Sequence, residues 1–540
     1  MRPSVDPEPN LRVCVVVPAR DEEDLVGRCL QALADQHLVS PSEYEVLLIL
    51  DDCTDSTEDR ALEVAATNPD LRLRLLDGPG EGAGHARRTG MEAAYARLRS
   101  VDRGKGLIAS TDADTVVAPD WLATQLECVD RGARAIGGRI ELADDGDLPN
   151  GVTGWRAERG HQRHMDLLSE SAPDGERPRF LEHWQFSGAS LALTAEVYRE
   201  IGGLEPHAAL EDEHLERILR QRNVPIERPL SVRVTTSARL VGRAQYGLAR
   251  DLSLATWFRT NTYEADSFDT GSLLARKKHP VSAVLAANED SRALRRTVEM
   301  LLRYENSGLL DEVLVVCAGP PVHGLPPEVT VRRAGGLMPD FGPVRGYGDI
   351  LWRAVSAAEG ETLIFLEPGS GATSIPALIG PLIEHGELAL VKGFCSQPDN
   401  NPELVARPLI NLHRPELAGF VEPLFKSFAA RRSLLETLPF PVGEGASLSL
   451  LLDAAEKFGV NALAQAGLGR DNTGGTATPS PEVAYAVQAA AASRLGGQNP
   501  VAGPLFLPSA EGLQTRRVPL EERPPLAGLS LPTPVSRIVS

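Results

Sequence analysis

The chain has 540 residues, more than one hydrophobic core ordinarily supports, so about two to four domains are expected. Its 74 acidic residues outnumber 55 basic ones, and the net charge of −19 argues against a nucleic-acid or anionic-membrane surface. There is no run of 18 apolar residues, and the N-terminal MRPSVDPEPN has neither a basic nor an apolar leader region, so a cytoplasmic protein without an integral membrane segment is expected. Six scattered cysteines (Cys14, Cys29, Cys53, Cys128, Cys317, Cys395) lack CxxC spacing, which fits unpaired thiols.

The first half alternates short apolar strands with amphipathic helices. RVCVVVP is a continuous β-branched run ending at Pro18, and DEEDLVGRCLQALADQ follows with Leu25, Cys29, Leu30 and Leu33 at helical spacing. YEVLLILDD, LRLRLL and GLIAST read as further strands, separated by the helices TEDRALEVAAT and AGHARRTGMEAAYARL. This βαβαβαβ order predicts an α/β fold with a mostly parallel sheet, which binds ligands beyond the carboxyl ends of its strands. Polar residues gather at those ends: Arg20 and Glu22, then Asp51 and Asp52, then Asp112 and Asp114 in STDADT. An Asp-Ala-Asp triplet alone also suits a turn, but three acidic clusters on one sheet edge are hard to explain by packing.

Residues 145 to 180 are polar and read as a mobile insertion or lid. Regular structure resumes at HWQFSGASLALTAEVYREIGGLEP, then ALEDEHLERILRQRNVPIERP, an acidic start leading into a helix. Four histidines, His85, His161, His164 and His207, show no ligand-like spacing. The second half repeats the strand scheme in PVSAVLAANED, DEVLVVCAGPP and ETLIFLEPGSG, so a duplicated fold is expected. The expected organisation is a disordered 1–11, a catalytic domain 12–264, a linker 265–280, a second domain 281–490 and a Pro/Gly-rich tail 491–540.

Strand-VPARDEE, strand-LDDCTDST, GAGHARRTG, STDADT, FSGASLALTAEVYREIGGL and LEDEHLERIL, in this order over residues 12 to 245, resemble glycosyltransferase family 2. The resemblance implies the GT-A fold, and with the duplication two tandem GT-A, Rossmann-like domains. It implies a nucleotide-diphospho-sugar donor and Mg2+ or Mn2+, because a diphosphate leaving group needs a divalent cation held by carboxylates. Asp114 is then the principal metal ligand and Asp112 its partner, Asp112 also lying in the nucleotide site. Pro18, Arg20 and Glu22 fall in the nucleotide pocket, and Asp51 or Asp52 addresses the base or ribose. The family usually has an aromatic where Arg20 stands, so a guanidinium plane or a phosphate contact replaces stacking. Arg87 lies in the segment that approaches the diphosphate. Glu211 and Asp212 match the family's Glu-Asp pair, with Asp212 the general base for the acceptor hydroxyl. His183 and Trp184, ahead of FSGAS, could line the acceptor pocket.

Residues 280 to about 475 resemble the glucosyl-3-phosphoglycerate synthases, retaining GT-A enzymes, through GYGDILWRAVSAA, LALVKGF, PELVARPLINLHRPELAGFVEPL and GVNALAQAGLG. The chemistry of that family is missing from the matched positions. Glu367, Pro368 and Gly369 stand for Asp-Ser-Asp, Cys317 for the nucleotide-contacting Asp, Tyr347 for a phosphate-contacting Lys and Ser447 for an active-site Glu, while the third metal ligand falls near Thr473. A non-catalytic pseudo-glycosyltransferase domain is expected. Neither a Gln-x-x-Arg-Trp motif nor membrane helices occur, so the expected activity is an inverting transfer of one sugar to a small soluble acceptor. UDP is the family's habit, with GDP and dTDP left open, and a homo-oligomer is allowed. The alternatives are a retaining transfer to 3-phosphoglycerate or a related acid, and a non-catalytic scaffold.

Overall fold

The computed structural model describes residues 6–144, 148–170, 180–205, 207, 210–242, 247–287, 289–320, 322–368, 374–395, 400–469, 480–495, 505–509 and 512–529. The chain divides into two compact units, Met1–Thr256 and Trp257–Ser540.

The first unit opens with β1 (Val13–Ala19), α1 (Val26–Ala34), β2 (Tyr44–Leu50), α2 (Thr57–Thr67), β3 (Leu73–Asp77), α3 (Ala83–Ser100) and β4 (Leu107–Ser110). There follow β5 (Thr115–Val117), α4 (Trp121–Asp130), β6 (Ala135–Gly137), β7 (Arg139–Leu142), α5 (Val152–Glu170), β8 (Leu191–Thr194), α6 (Ala195–Glu200), α7 (Glu211–Gln221), β9 (Ile226–Glu227) and β10 (Arg233–Thr236). Seven strands form one sheet in the order β3-β2-β1-β4-β8-β6-β9, parallel except for β8, and β5, β10 and β7 form a smaller one. All of β1 and β2 is buried, because helices cover both faces of a parallel sheet and leave no side for polar residues. Helix α1 buries Val26, Cys29, Leu30 and Leu33, one stripe at helical spacing. Helix α3 lies so close to the sheet that a Cβ at Gly90 would overlap Val16 and Ile49. These contacts fix β1, β2 and β4 side by side, so the segments after Ala19, Leu50 and Ser110 leave along one edge.

In the second unit an eight-stranded sheet runs Thr330–Arg333, Glu312–Cys317, Val281–Ala287, Thr362–Leu366, Phe428–Arg431, Leu390–Phe394, Leu463–Gly467 and Thr262–Tyr263. Its first seven strands follow the order and direction of the first unit's sheet, with Phe428–Arg431 the antiparallel member, as β8 is. The repeated strand scheme is thus present twice.

Several segments differ from expectation. The 145–180 segment contains α5, whose Val152 packs with Leu252 and Ala255; residues 145–147 and 171–179 lie outside the described ones. The unit boundary at Thr256 precedes the 265–280 segment read as a linker, and within that segment Thr270–Arg276 is a helix capped by Asp269 and anchored by the buried Leu273. Residues 1–5 are outside the described ones, but Leu11 is buried and Glu8 pairs with Arg72. The 491–540 tail is docked in its described part. Glu522–Arg523 pairs with Phe440–Pro441, Arg523 meets the fully buried Asp349, and the Trp352 indole donates to the Pro524 carbonyl. Proline and glycine content hid this anchor, which combines a strand pairing, a buried ion pair and the buried Leu526.

Candidate active site

The segments leaving β1, β2 and β4 converge where α/β sheets bind ligands. Asp114, just past β4, is half-enclosed, and its Oδ2 lies 2.9 Å from Arg239 Nη2. The same guanidinium makes a two-point contact with Glu22, at 2.8 and 3.0 Å. Long contacts from the Thr115 and Thr236 hydroxyls, 3.4 and 3.5 Å, reach Asp114 Oδ1. Burial, followed by the neighbouring Asp112 charge, pushes the Asp114 carboxyl well above the usual carboxylate range, while Arg239 pulls it back.

Asp112 is turned the other way. Its Oδ1 accepts from Arg87 Nη2 at 2.7 Å. Arg87 is 2% exposed and is a hub: Nε donates to Glu211 at 3.1 Å, and Nη1 donates to Ser110 and to the Gly188 carbonyl. Burial opposes its charge, but Asp112 and Glu211 outweigh this and raise its pKa. Helix α3 delivers this side chain under the edge of β4, so it binds the two acidic motifs together from below. The expected route to a diphosphate is therefore indirect, through Asp112.

Glu211 and Asp212 open α7 after Leu210, whose φ of 61° is left-handed and swings the chain into the helix. Glu211 is buried against Arg87, whereas Asp212 is partly exposed, with Oδ2 accepting from the Gly188 amide at 3.1 Å and Oδ1 from its neighbour's amide. The FSGAS segment and the Glu-Asp pair thus meet at Gly188, where a Cβ would strike Arg87.

Pro18 is buried in β1 opposite Ile49. Arg20 is exposed and 3.5 Å from Asp52, which itself has a φ of 57°. Asp51 is buried, and its two oxygens accept from the amides of Gly80 (2.7 Å) and Gly82 (3.0 Å). That carboxylate shapes the loop before α3. His183 is buried, and burial first and Arg228 next push its pKa down to about 4, so its ring is neutral at pH 7. Its Nδ1 accepts from the Gln185 amide. Trp184 carries Arg163 of α5 over its ring at 5.2 Å.

All of Glu22, Asp112, Asp114, Arg87, Glu211 and Asp212 belong to one connected cluster, with Arg20, Asp51 and Asp52 on neighbouring loops. Arg239 and Thr236 were not singled out in sequence. The available signal is a lone arginine three residues after a polar strand end (TTSAR), which is weak. Four carboxylates (Glu22, Asp112, Asp114, Glu211) against two guanidinium groups (Arg87, Arg239) leave two negative charges. An all-oxygen donor set short of positive charge fits Mg2+ or Mn2+.

Fold and site together define an α/β protein that binds its ligand beyond the carboxyl ends of a parallel sheet. The family model "Glycosyl transferase family 2" matches residues 14–181. A glucosyl-3-phosphoglycerate synthase of Mycolicibacterium smegmatis is 30% identical over 233 residues, which cover 39% of this chain and 77% of that protein. The corresponding protein of Mycobacterium tuberculosis is 31% identical over 252 residues, 42% of this chain and 74% of its own. The crystal structure of the M. tuberculosis synthase with Mn2+, UDP-glucose and phosphoglyceric acid is 28% identical, covers 49% of this chain and 98% of its own, and has a TM-score of 0.44. The chain belongs to glycosyltransferase family 2 and is a glycosyltransferase. Among the described residues, no helix is long and apolar enough to cross a membrane.

Proposed function

We propose that the first unit transfers a sugar from a nucleotide-diphospho-sugar, with UDP the preferred nucleotide, to a hydroxyl of a small acceptor. The observation that carries this reading is the carboxylate cluster around Asp114, where four carboxylates face two guanidinium groups at the sheet edge. Asp114 and Asp112 hold Mg2+ or Mn2+, which neutralises the leaving diphosphate. Asp112 Oδ1 is fixed by Arg87, and a metal held by Asp114 would take the place of its contact with Arg239. Arg20 and Pro18 border the nucleotide, with Asp51 fixing the loop and Asp52 addressing the ribose or base.

Asp212 takes the proton of the acceptor hydroxyl. Two backbone amides orient it, and Glu211, pinned to Arg87, positions the helix start that carries it. A base facing an acceptor supports direct displacement with inversion. His183 and Trp184 flank the acceptor side, the neutral His183 ring adding no charge there.

A second reading is favoured by the relatives' names. Glucosyl-3-phosphoglycerate synthases, one solved with UDP-glucose and phosphoglyceric acid, point to a retaining transfer to an acidic three-carbon acceptor. Product configuration separates the two. With UDP-glucose, Mn2+ and a panel of hydroxyl acceptors including 3-phosphoglycerate, the first reading yields a β-glucoside by the anomeric proton coupling; an α-glucoside selects the second.

The second unit is proposed as a pseudo-glycosyltransferase domain of the same GT-A fold. Lys426 lies 3.2 Å from Glu367 and 3.1 Å from Glu444, with its ammonium over the Tyr347 ring at 4.8 Å. Burial opposes this ammonium, but Glu444 and Glu367 outweigh burial and raise its pKa. A protein cation thus takes the place that a metal needs. Cys317 ends its strand buried, and Ser447 is buried too; Gly369 and Thr473 lie outside the described residues.

A further inference from the structure

We propose that Glu205, His207 and His214 form a second metal site in the first unit, selective for Zn2+, which clips the loop before α7 to that helix. One ligand atom from each residue lies within 4.8 Å of the other two. His214 Nε2 and Glu205 Oε2 are 2.7 Å apart, and the two imidazole rings stand 4.4 Å between centroids, tilted by 59°. His207 Nε2 is buried without a hydrogen-bond partner among the described residues, so one imidazole nitrogen is desolvated and unsatisfied. A coordinate bond to a metal ion would satisfy it.

Two imidazoles and one carboxylate make a zinc donor set, and three protein ligands leave the fourth position to water. Zinc bonds of about 2.0–2.2 Å place tetrahedral ligand atoms roughly 3.4 Å apart, so side-chain rotation has to open the 2.7 Å His214–Glu205 pair and draw His207 into the same spacing. The carboxylate pair Asp112–Asp114 offers oxygen only and takes a harder ion. The two sites therefore separate by metal.

Placement gives the site a consequence. A Cβ at Gly84, at the start of α3, would overlap the His207 carbonyl, so this backbone is already seated on the helix that carries Arg87. His214 lies one turn after Glu211 on α7. Between them stands Leu210 in its left-handed conformation. Zinc would hold both ends of that turn and steady the helix start presenting Glu211 and Asp212. The inference is independent of the reaction assigned to the site.

The test uses the full chain, freed of metal with chelator and titrated with Co2+ and then Zn2+. The proposal predicts one Co2+ per chain with the visible absorption of a four-coordinate nitrogen and oxygen site, displaced by one Zn2+, equally in the wild type and in Asp114→Asn. Glu205 is exposed, so Glu205→Ala leaves folding intact; it should weaken Zn2+ at least about tenfold. His214→Ala should do the same and His214→Cys, which keeps a zinc ligand, should restore binding. Zinc affinity unchanged in Glu205→Ala, or zinc binding lost in Asp114→Asn, would overturn the proposal.

Discussion

Arg239 stands 2.9 Å from Asp114 while holding Glu22 with both of its terminal nitrogens. One guanidinium thus neutralises the residue to which the account gives the metal. A metal bound at Asp114 would have to displace this contact, and the energy of the displaced ion pair would be subtracted from the intrinsic metal affinity.

Replacing Arg239 with Gln should therefore tighten Mn2+ binding to the nucleotide-free protein about tenfold, or ~1.4 kcal/mol. Calorimetric titration of Mn2+ reads this directly. Weaker Mn2+ binding in the variant would mean that the arginine supports the ion instead of competing with it.

Arg87, itself buried, joins Asp112, Glu211, Ser110 and Gly188. Its replacement by Met leaves Glu211 buried without a partner while the part-exposed Asp112 turns to solvent, a loss of about 3 kcal/mol in urea unfolding. Arg87→Lys keeps the charge but cannot fork to both carboxylates, so it should fall between the two.

His183 has a folded pKa of about 4, below the ordinary value of 6.5. The unfolded chain therefore binds the extra proton first as pH falls, and stability from this residue is lost between pH 6.5 and 4 and is constant below. The full shift corresponds to about 3 kcal/mol. Unfolding free energies measured from pH 7 to 4 should decline less steeply in His183→Gln than in the wild type, and parallel curves would refute the assignment.

In the second unit Asp349 is fully buried and is shared by Arg353 and Arg523, the latter at 2.7 and 2.8 Å. Burial alone would raise the Asp349 pKa, but the hydrogen bonds from Arg523 and Arg353 win and lower it. Arg523→Ala should destabilise the second unit by about 3 kcal/mol and loosen the 512–529 segment to protease. A neutral effect would mean that the tail is only resting on the surface.

The alternation of apolar runs and helices made the first sheet legible, since β1, β2 and β4 are continuous buried runs that no other element accommodates. The ends of those strands made Glu22, Asp112 and Asp114 legible too. Arg239 was not, because its partners lie 217 and 125 positions away and only folding brings them near. The pairing of His207 with His214 was hidden for a related reason: their spacing fits no metal motif, and only the fold brings the two imidazoles to 4.4 Å. The anchored tail was misread because composition registers prolines and not the single arginine that reaches Asp349.

The central claim is one metal-dependent nucleotide site, organised by Asp114 in the first unit. Calorimetric titration of UDP and GDP into the intact protein and into Asp114→Ala, with and without Mn2+, tests it most directly. UDP should bind tightly only with Mn2+, and this binding should disappear in Asp114→Ala. Mn2+-dependent binding that survives the substitution would contradict it and would place the site elsewhere in the chain.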